Sequence, residues 1–224
     1  MAAKTRVKKE EKPIRLFKSD LLESFTHINP LVVLVVFLIL IALFIYRAAT
    51  INADITWWQI LLGFIIGFVL WSPTEYLLHR FVFHWMPKVM TPAKERFLFM
   101  MHGIHHAQPM VKTRLVMPPI VSLPLAIVFY FLFWLIIGKL FGAVQFVDSV
   151  MAGFLFGYLT YDMMHYSLHH INFPGGYYKK LRVHHMNHHF LTHDQRFGVS
   201  SWFWDRVFGT LPKDQPKKPA ATSN

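Results

Sequence analysis

Four apolar runs divide the chain. Leu31 to Tyr46 is wholly apolar and, with its flanks, reaches the roughly 20 residues that cross a bilayer as a helix. A cleaved signal peptide is the rival reading. The long polar leader and Pro30 at the start of the run favour a retained span. Trp57 to Trp71 is the second run, with tryptophan at both ends in the manner of interface anchors. Pro118 to Phe141 is the third, with a break expected at Pro124, and Gln145 to about Tyr161 is the fourth. The short connection from Arg47 to Asp54 makes the first two runs an antiparallel hairpin. Pro73 predicts a kink where the second helix leaves the lipid. Gly153 and Gly157 are small residues at a spacing that permits close helix contact.

The segments between the runs are polar. Residues 1–29 form a basic N-terminal segment whose first dozen residues read as disordered. From Ile14 to Phe25 the pattern fits either a short amphipathic helix on the membrane surface or a solvated tail. Pro87 to Pro109 lies outside the bilayer. Within it, Thr91 followed by Pro92 predicts a helix with Thr as cap and Pro at the first position. That helix carries Met100, Met101 and a histidine cluster, and stops before Pro109. Residues 212–224 are rich in Pro, Lys and small residues and read as a disordered tail. Residues 30–211 then make one membrane domain.

Composition agrees with this division. Hydrophobic residues are 54% of the 224 and charged residues only 16%, a balance that favours a membrane protein. The net charge of +11 does not gather on one soluble module, so nucleic acid is not an expected partner. Lys and Arg instead flank the runs. Seven precede the first, six lie between the second and third, and eight follow the fourth, whereas the two short connections hold one each. The positive-inside rule therefore puts both termini and all 14 histidines on the cytoplasmic side, in a bacterial inner membrane or the ER. The absence of cysteine excludes thiolate metal sites, disulfides and cysteine nucleophiles. The chain has no GxSxG, Walker loop or dinucleotide fingerprint, and no ExxH of the bundle-type di-iron proteins.

The histidines carry the chemistry. His102, His105 and His106, then His185, His188 and His189, and also His165 with His169, all hold the spacing of three and four that shares one helix face. His79 and His84 are five apart, so either the helix loosens there or the two serve different ions. Ten imidazoles are too many for one metal. Five on each of two six-coordinate metals leave one open position apiece, which suits substrate chemistry on Fe, Zn, Cu or Ni. Glu75, four before His79, and Asp162, three before His165, stand where a carboxylate accepts the spare N–H of each ring. A metal transporter is a rival class, but its sites would lie within the membrane plane.

These residues carry a resemblance. EYLLHRFVFH (Glu75 to His84), HGIHHAQP (His102 to Pro109), RLVMPP (Arg114 to Pro119), GYLTYDMMHYSLHH (Gly157 to His170), HHMNHHF (His184 to Phe190) and FGVSSWFWDRVFGTLP (Phe197 to Pro212) resemble the membrane fatty acid hydroxylase superfamily, and the fatty acid 2-hydroxylases within it. The resemblance implies an all-α integral membrane fold, with four transmembrane helices under a cytoplasmic helical cap. It carries the metal ligands onto His79, His84, His102, His105, His106, His165, His169, His185, His188 and His189. It further implies two iron ions, sometimes replaced by zinc on isolation, and O₂ as co-substrate. The reaction implied is hydroxylation at carbon 2 of a long acyl chain bound for sphingolipids. Fungal and animal members carry a cytochrome b5 domain for which this chain is too short. Electrons are therefore expected from a separate donor such as cytochrome b5 or ferredoxin. Sterol or carotenoid hydroxylases and desaturases are the nearest alternatives. Trp71, Phe83 and Trp85 are candidates for lining the acyl path.

Overall fold

The computed structural model describes residues 12–51 and 55–212. The readings of disorder at the first dozen residues and at 212–224 fall almost wholly outside these. Among the described residues every regular element is helical. After the short α1 (Asp20–Ser24) come α2 (Pro30–Ile51) and α3 (Trp57–Leu77), the latter extended by a π-helical turn, Leu78–Phe83. Then α4 (Pro92–Leu98), a π turn (Phe99–Gly103) and α5 (Ile104–Ala107) follow without a gap. A 3-10 turn (Lys112–Arg114) leads to α6 (Pro119–Phe133) and a π-helical end (Trp134–Leu140). Finally α7 (Val147–His170) and α8 (Gly176–Phe190) precede the short α9 (Phe203–Val207).

Three segments are long and apolar enough to cross a membrane: Pro30–Ile51, Trp57–Phe83 and Lys112–Leu140. Their large side chains face outward, as lipid-facing surfaces do; Val35, Ile39, Val69 and Val128 are all exposed. The fourth apolar run lies in α7, which is the axis of the molecule. It packs on α2, α3 and α6, and most of its residues are buried. An enclosed helix meets protein rather than lipid, so it tolerates Ser149, Asp162 and two glycines where the outer helices hold Leu, Ile and Phe.

The glycines set the spacing of α3 and α7. A Cβ on Gly67 would stand 1.9 Å from the Val150 carbonyl oxygen, and one on Gly153 would stand 1.9 Å from that of Phe64. Gly157 similarly faces the Trp71 Cβ at 2.4 Å. The backbones therefore touch, and dispersion between close-packed helices replaces the hydrophobic drive that lipid does not supply. At the end away from the histidines, Arg47 of α2 meets Asp148 of α7 at 3.2 Å.

Several expectations change. Trp71 is not an interface anchor; it is buried against Gly157, with the rings of Phe154 and Tyr158 5.2 and 5.4 Å away. Trp57, by contrast, is 76% exposed at the other end of α3. The first helix runs past Tyr46 to Ile51, so Arg47 is helical rather than part of a connection. Pro124 does not break α6, because the helix continues around it to Phe133. Among the described residues of the N-terminal segment, helix is confined to Asp20–Ser24, and residues 12–17 hold no regular secondary structure.

Candidate metal centre

The spacing of five between His79 and His84 is resolved by backbone geometry. At the end of α3 the helix widens into a π turn, and the His84 N–H donates to the His79 carbonyl at 3.1 Å. A π turn brings residues five apart onto one face. The two rings then lie 5.0 Å apart between centroids.

The helix predicted from Thr91 forms as expected, with the Lys94 N–H donating to the Thr91 hydroxyl and Pro92 at the first position. Its second half widens into another π turn at Phe99–Gly103 and recovers as Ile104–Ala107. That stretch presents His102, His105 and His106. The end of α7 presents His165 and His169, and α8 presents His185, His188 and His189.

All ten rings gather, in two groups of five. His79, His84, His102, His106 and His188 form one; His105, His165, His169, His185 and His189 form the other. Within each group one ring nitrogen per residue lies within 4.8 Å of all the others. The division follows helical phase. In an HxxHH box the first and fifth positions differ by about 40° and the fourth lies to the other side of the first. The first box gives His102 and His106 to one group and His105 to the other. The second box gives His185 and His189 to one and His188 to the other. Each group thus takes a pair from a helix exit, a pair from the adjoining box, and one ring from the opposite box.

The donor set fits metal ions. Nε2 atoms approach at 3.2 Å for His79 and His102, 3.1 Å for His102 and His106, and 2.9 Å for His169 and His185. Ligands about 2.1 Å from a shared ion and at right angles to one another stand about 3 Å apart. Both nitrogens of buried His105 lack a hydrogen-bond partner. Such crowded rings, unpartnered at His105, are costly unless something else satisfies them. Burial depresses their basicity, with neighbouring imidazoles adding to the effect: His84 falls to about 3 and His106 to about 2. Burial likewise takes His188 to about 4. At neutral pH these rings are therefore uncharged, the form in which imidazole binds a metal.

Comparison with known proteins agrees. The model of the family described as fatty acid hydroxylase matches residues 64–210. This chain belongs to the fatty acid hydroxylase family. It is 41% identical over 150 residues to the ceramide very long chain fatty acid hydroxylase of Schizosaccharomyces pombe, covering 66% of this chain and 41% of that one. To the dihydroceramide fatty acyl 2-hydroxylase FAH1 of Arabidopsis thaliana it is 36% identical, covering 91% and 83% of the two chains. A solved structure described as full-length scs7p, of which only the hydroxylase domain is visible, superimposes with a TM-score of 0.78 at 36% identity, over 88% of this chain and 72% of that one. The chain spans about two fifths of the length of the fungal relatives it matches.

In this family member the outer contacts of the rings differ from those read in the sequence. The Nδ1 of His79 bonds the Phe197 carbonyl at 2.5 Å, and that of His188 bonds the Gln195 carbonyl at 2.6 Å. A carbonyl only accepts, so Nδ1 carries the proton and Nε2 keeps its lone pair for the centre. Glu75 does not reach His79. It accepts the N–H groups of Val199 and Ser200, each at 2.8 Å, and the Ser200 hydroxyl. Asp162 does not reach His165 either; it accepts from the Met117 N–H at 3.3 Å and the Tyr158 hydroxyl at 3.2 Å. Asp205, unnoticed in the sequence, accepts the Phe197 and Gly198 N–H groups at 2.8 and 2.9 Å and meets His184 at 3.1 Å. Glu75 and Asp205 therefore hold the loop 195–200, and the loop's carbonyls orient His79 and His188.

An apolar cavity of about 270 Å³ adjoins the centre, and His102 of one group and His105 and His165 of the other line it. Phe83, Met100, Met101, Ile120 and Val121 are among its walls. Phe83 lines this space as expected; Trp71 and Trp85 do not.

Proposed function

We propose that this chain is an oxygen-dependent lipid hydroxylase that places a hydroxyl on carbon 2 of a long-chain fatty acyl group of the sphingolipid type. The observation that carries this reading is the cavity: one apolar space lined by ligand rings from both histidine groups. Its walls suit a hydrocarbon and its floor suits metal chemistry. The five rings of each group would hold one iron ion. When bound, the ions supply dioxygen activation and the oxidising power that breaks an unactivated C–H bond. The reaction also consumes two electrons from a donor outside the two histidine groups.

The protein's own part is positioning. The cavity holds the chain with one carbon against the His102–His105 edge and keeps water from it. Neutral, desolvated rings present lone pairs without first losing protons. Enclosed α7 is the fourth membrane span, and its last turns, with α4, α5 and α8, form a cap on the side where Lys and Arg concentrate, the cytoplasmic face.

Lipid mass spectrometry of a host expressing the chain, beside its His188→Ala variant, tests the reading. The parent should yield acyl chains heavier by one oxygen at carbon 2, and the variant should lose both product and iron. A double bond in place of the hydroxyl, or product from iron-depleted protein, would overturn it.

A further inference from the structure

Part of the cavity wall is not built from the long helices. Leu16, Phe17, Leu22, Phe25 and Thr26 of the N-terminal segment close it. Residues 12–28 run along this wall as a strap, and groups distant in sequence hold them there. Gln108 accepts from the Ile14 N–H at 2.7 Å and donates to the Lys12 carbonyl at 2.9 Å. Thr113 accepts from the Ile28 N–H at 2.8 Å, and its hydroxyl meets His27 Nδ1 at 2.7 Å.

Arg114 is the hub. Its side chain is only 3% exposed, and it donates to the Ile14 carbonyl, the Glu23 carboxylate and His27 Nε2. Glu23 in turn accepts the N–H groups of Leu16 and Phe17 at 2.9 Å each. One buried guanidinium therefore fixes both the path of the strap and the two side chains it turns toward the cavity. The strap also exposes Ile14 and Leu21 beside basic Arg15 and Lys18, a pairing that suits a lipid interface.

We propose that the strap is the movable wall through which a lipid acyl chain enters, that Phe17 sets which chains fit, and that Arg114 is the positioning residue that latches the strap. This rests on the cavity being the acyl site. The planar fork of a guanidinium spreads its donors over three separate acceptors, a geometry that the compact ammonium of a lysine does not reproduce. Removing it forfeits charge-assisted hydrogen bonds, a factor of about ten or more in the balance between closed and open strap.

The chain's lack of cysteine gives a direct readout, because Phe17→Cys carries the only thiol. In purified protein, stearic acid should slow maleimide labelling of that thiol severalfold, and adding Arg114→Gln should raise the rate about tenfold at unchanged metal content. A labelling rate indifferent to both fatty acid and Arg114 overturns the strap. A second set keeps the latch intact: Phe17→Ala should shift chain-length preference toward bulkier acyl groups and Phe17→Trp away from them, in KM more than in kcat. Parallel losses of activity and metal in both variants, with unchanged preference, would also sink it. If the parent makes no hydroxylated lipid, the functional reading fails, while the labelling result stands or falls by itself.

Discussion

At the residue scale, eight of the histidines were legible because ligands recur at helical spacing, the resemblance added His79 and His84, and the structure brings all ten into two groups. The split within each box, first and fifth ring from the fourth, follows helical phase. Which pair from a helix exit each part joins was not legible, because it depends on where the helices point. The partners of His79 and His188 were beyond reach for another reason. Backbone carbonyls of Gln195 and Phe197 leave no side-chain signature, whereas Glu75 and Asp162 looked like ring partners and serve other N–H groups. The protonation of the rings gives a prediction at this scale. In the unfolded chain these imidazoles take up protons near pH 6.5, but in the folded state His84 and His188 do so only near 3 and 4. Between those limits the unfolded state binds more protons, so stability falls as pH drops below about 6.5 and continues to fall toward pH 3. Thermal unfolding followed from pH 8 to pH 4 should show this decline beginning near pH 6.5. A midpoint constant through pH 5 would contradict it.

At the element scale, the apolar runs located the long helices, and the odd spacing of His79 and His84 flagged the place where α3 widens into a π turn. Trp71 was misread because an aromatic residue at the end of a run resembles an interface anchor. What identifies its burial is Gly157, 86 positions later, opposite its ring. The glycine contact between α3 and α7 is the element on which the site's framework depends. Gly67→Ala would drive a methyl into the Val150 backbone, separating the helices at a cost of about 1–3 kcal/mol. The measured result should be a lower unfolding temperature in detergent, with Gly138→Ala near the parent, since a Cβ there meets Val144 at an ordinary 3.5 Å. Equal temperatures for the two variants would show that the close approach contributes nothing.

At the scale of the whole molecule, the helical architecture followed from the hydrophobic pattern. The N-terminal strap did not. Its sequence fits a surface helix or a tail, and its course is set by Gln108, Thr113 and Arg114, which lie 86 or more positions away along the chain. The exchange of single rings between boxes ties the halves together, so each ion would need residues from both. Anomalous X-ray scattering from crystals grown with iron tests this central claim most directly. Two peaks are predicted, one among His79, His84, His102, His106 and His188, the other among His105, His165, His169, His185 and His189. A single peak, or metal bound away from these rings, would contradict the account.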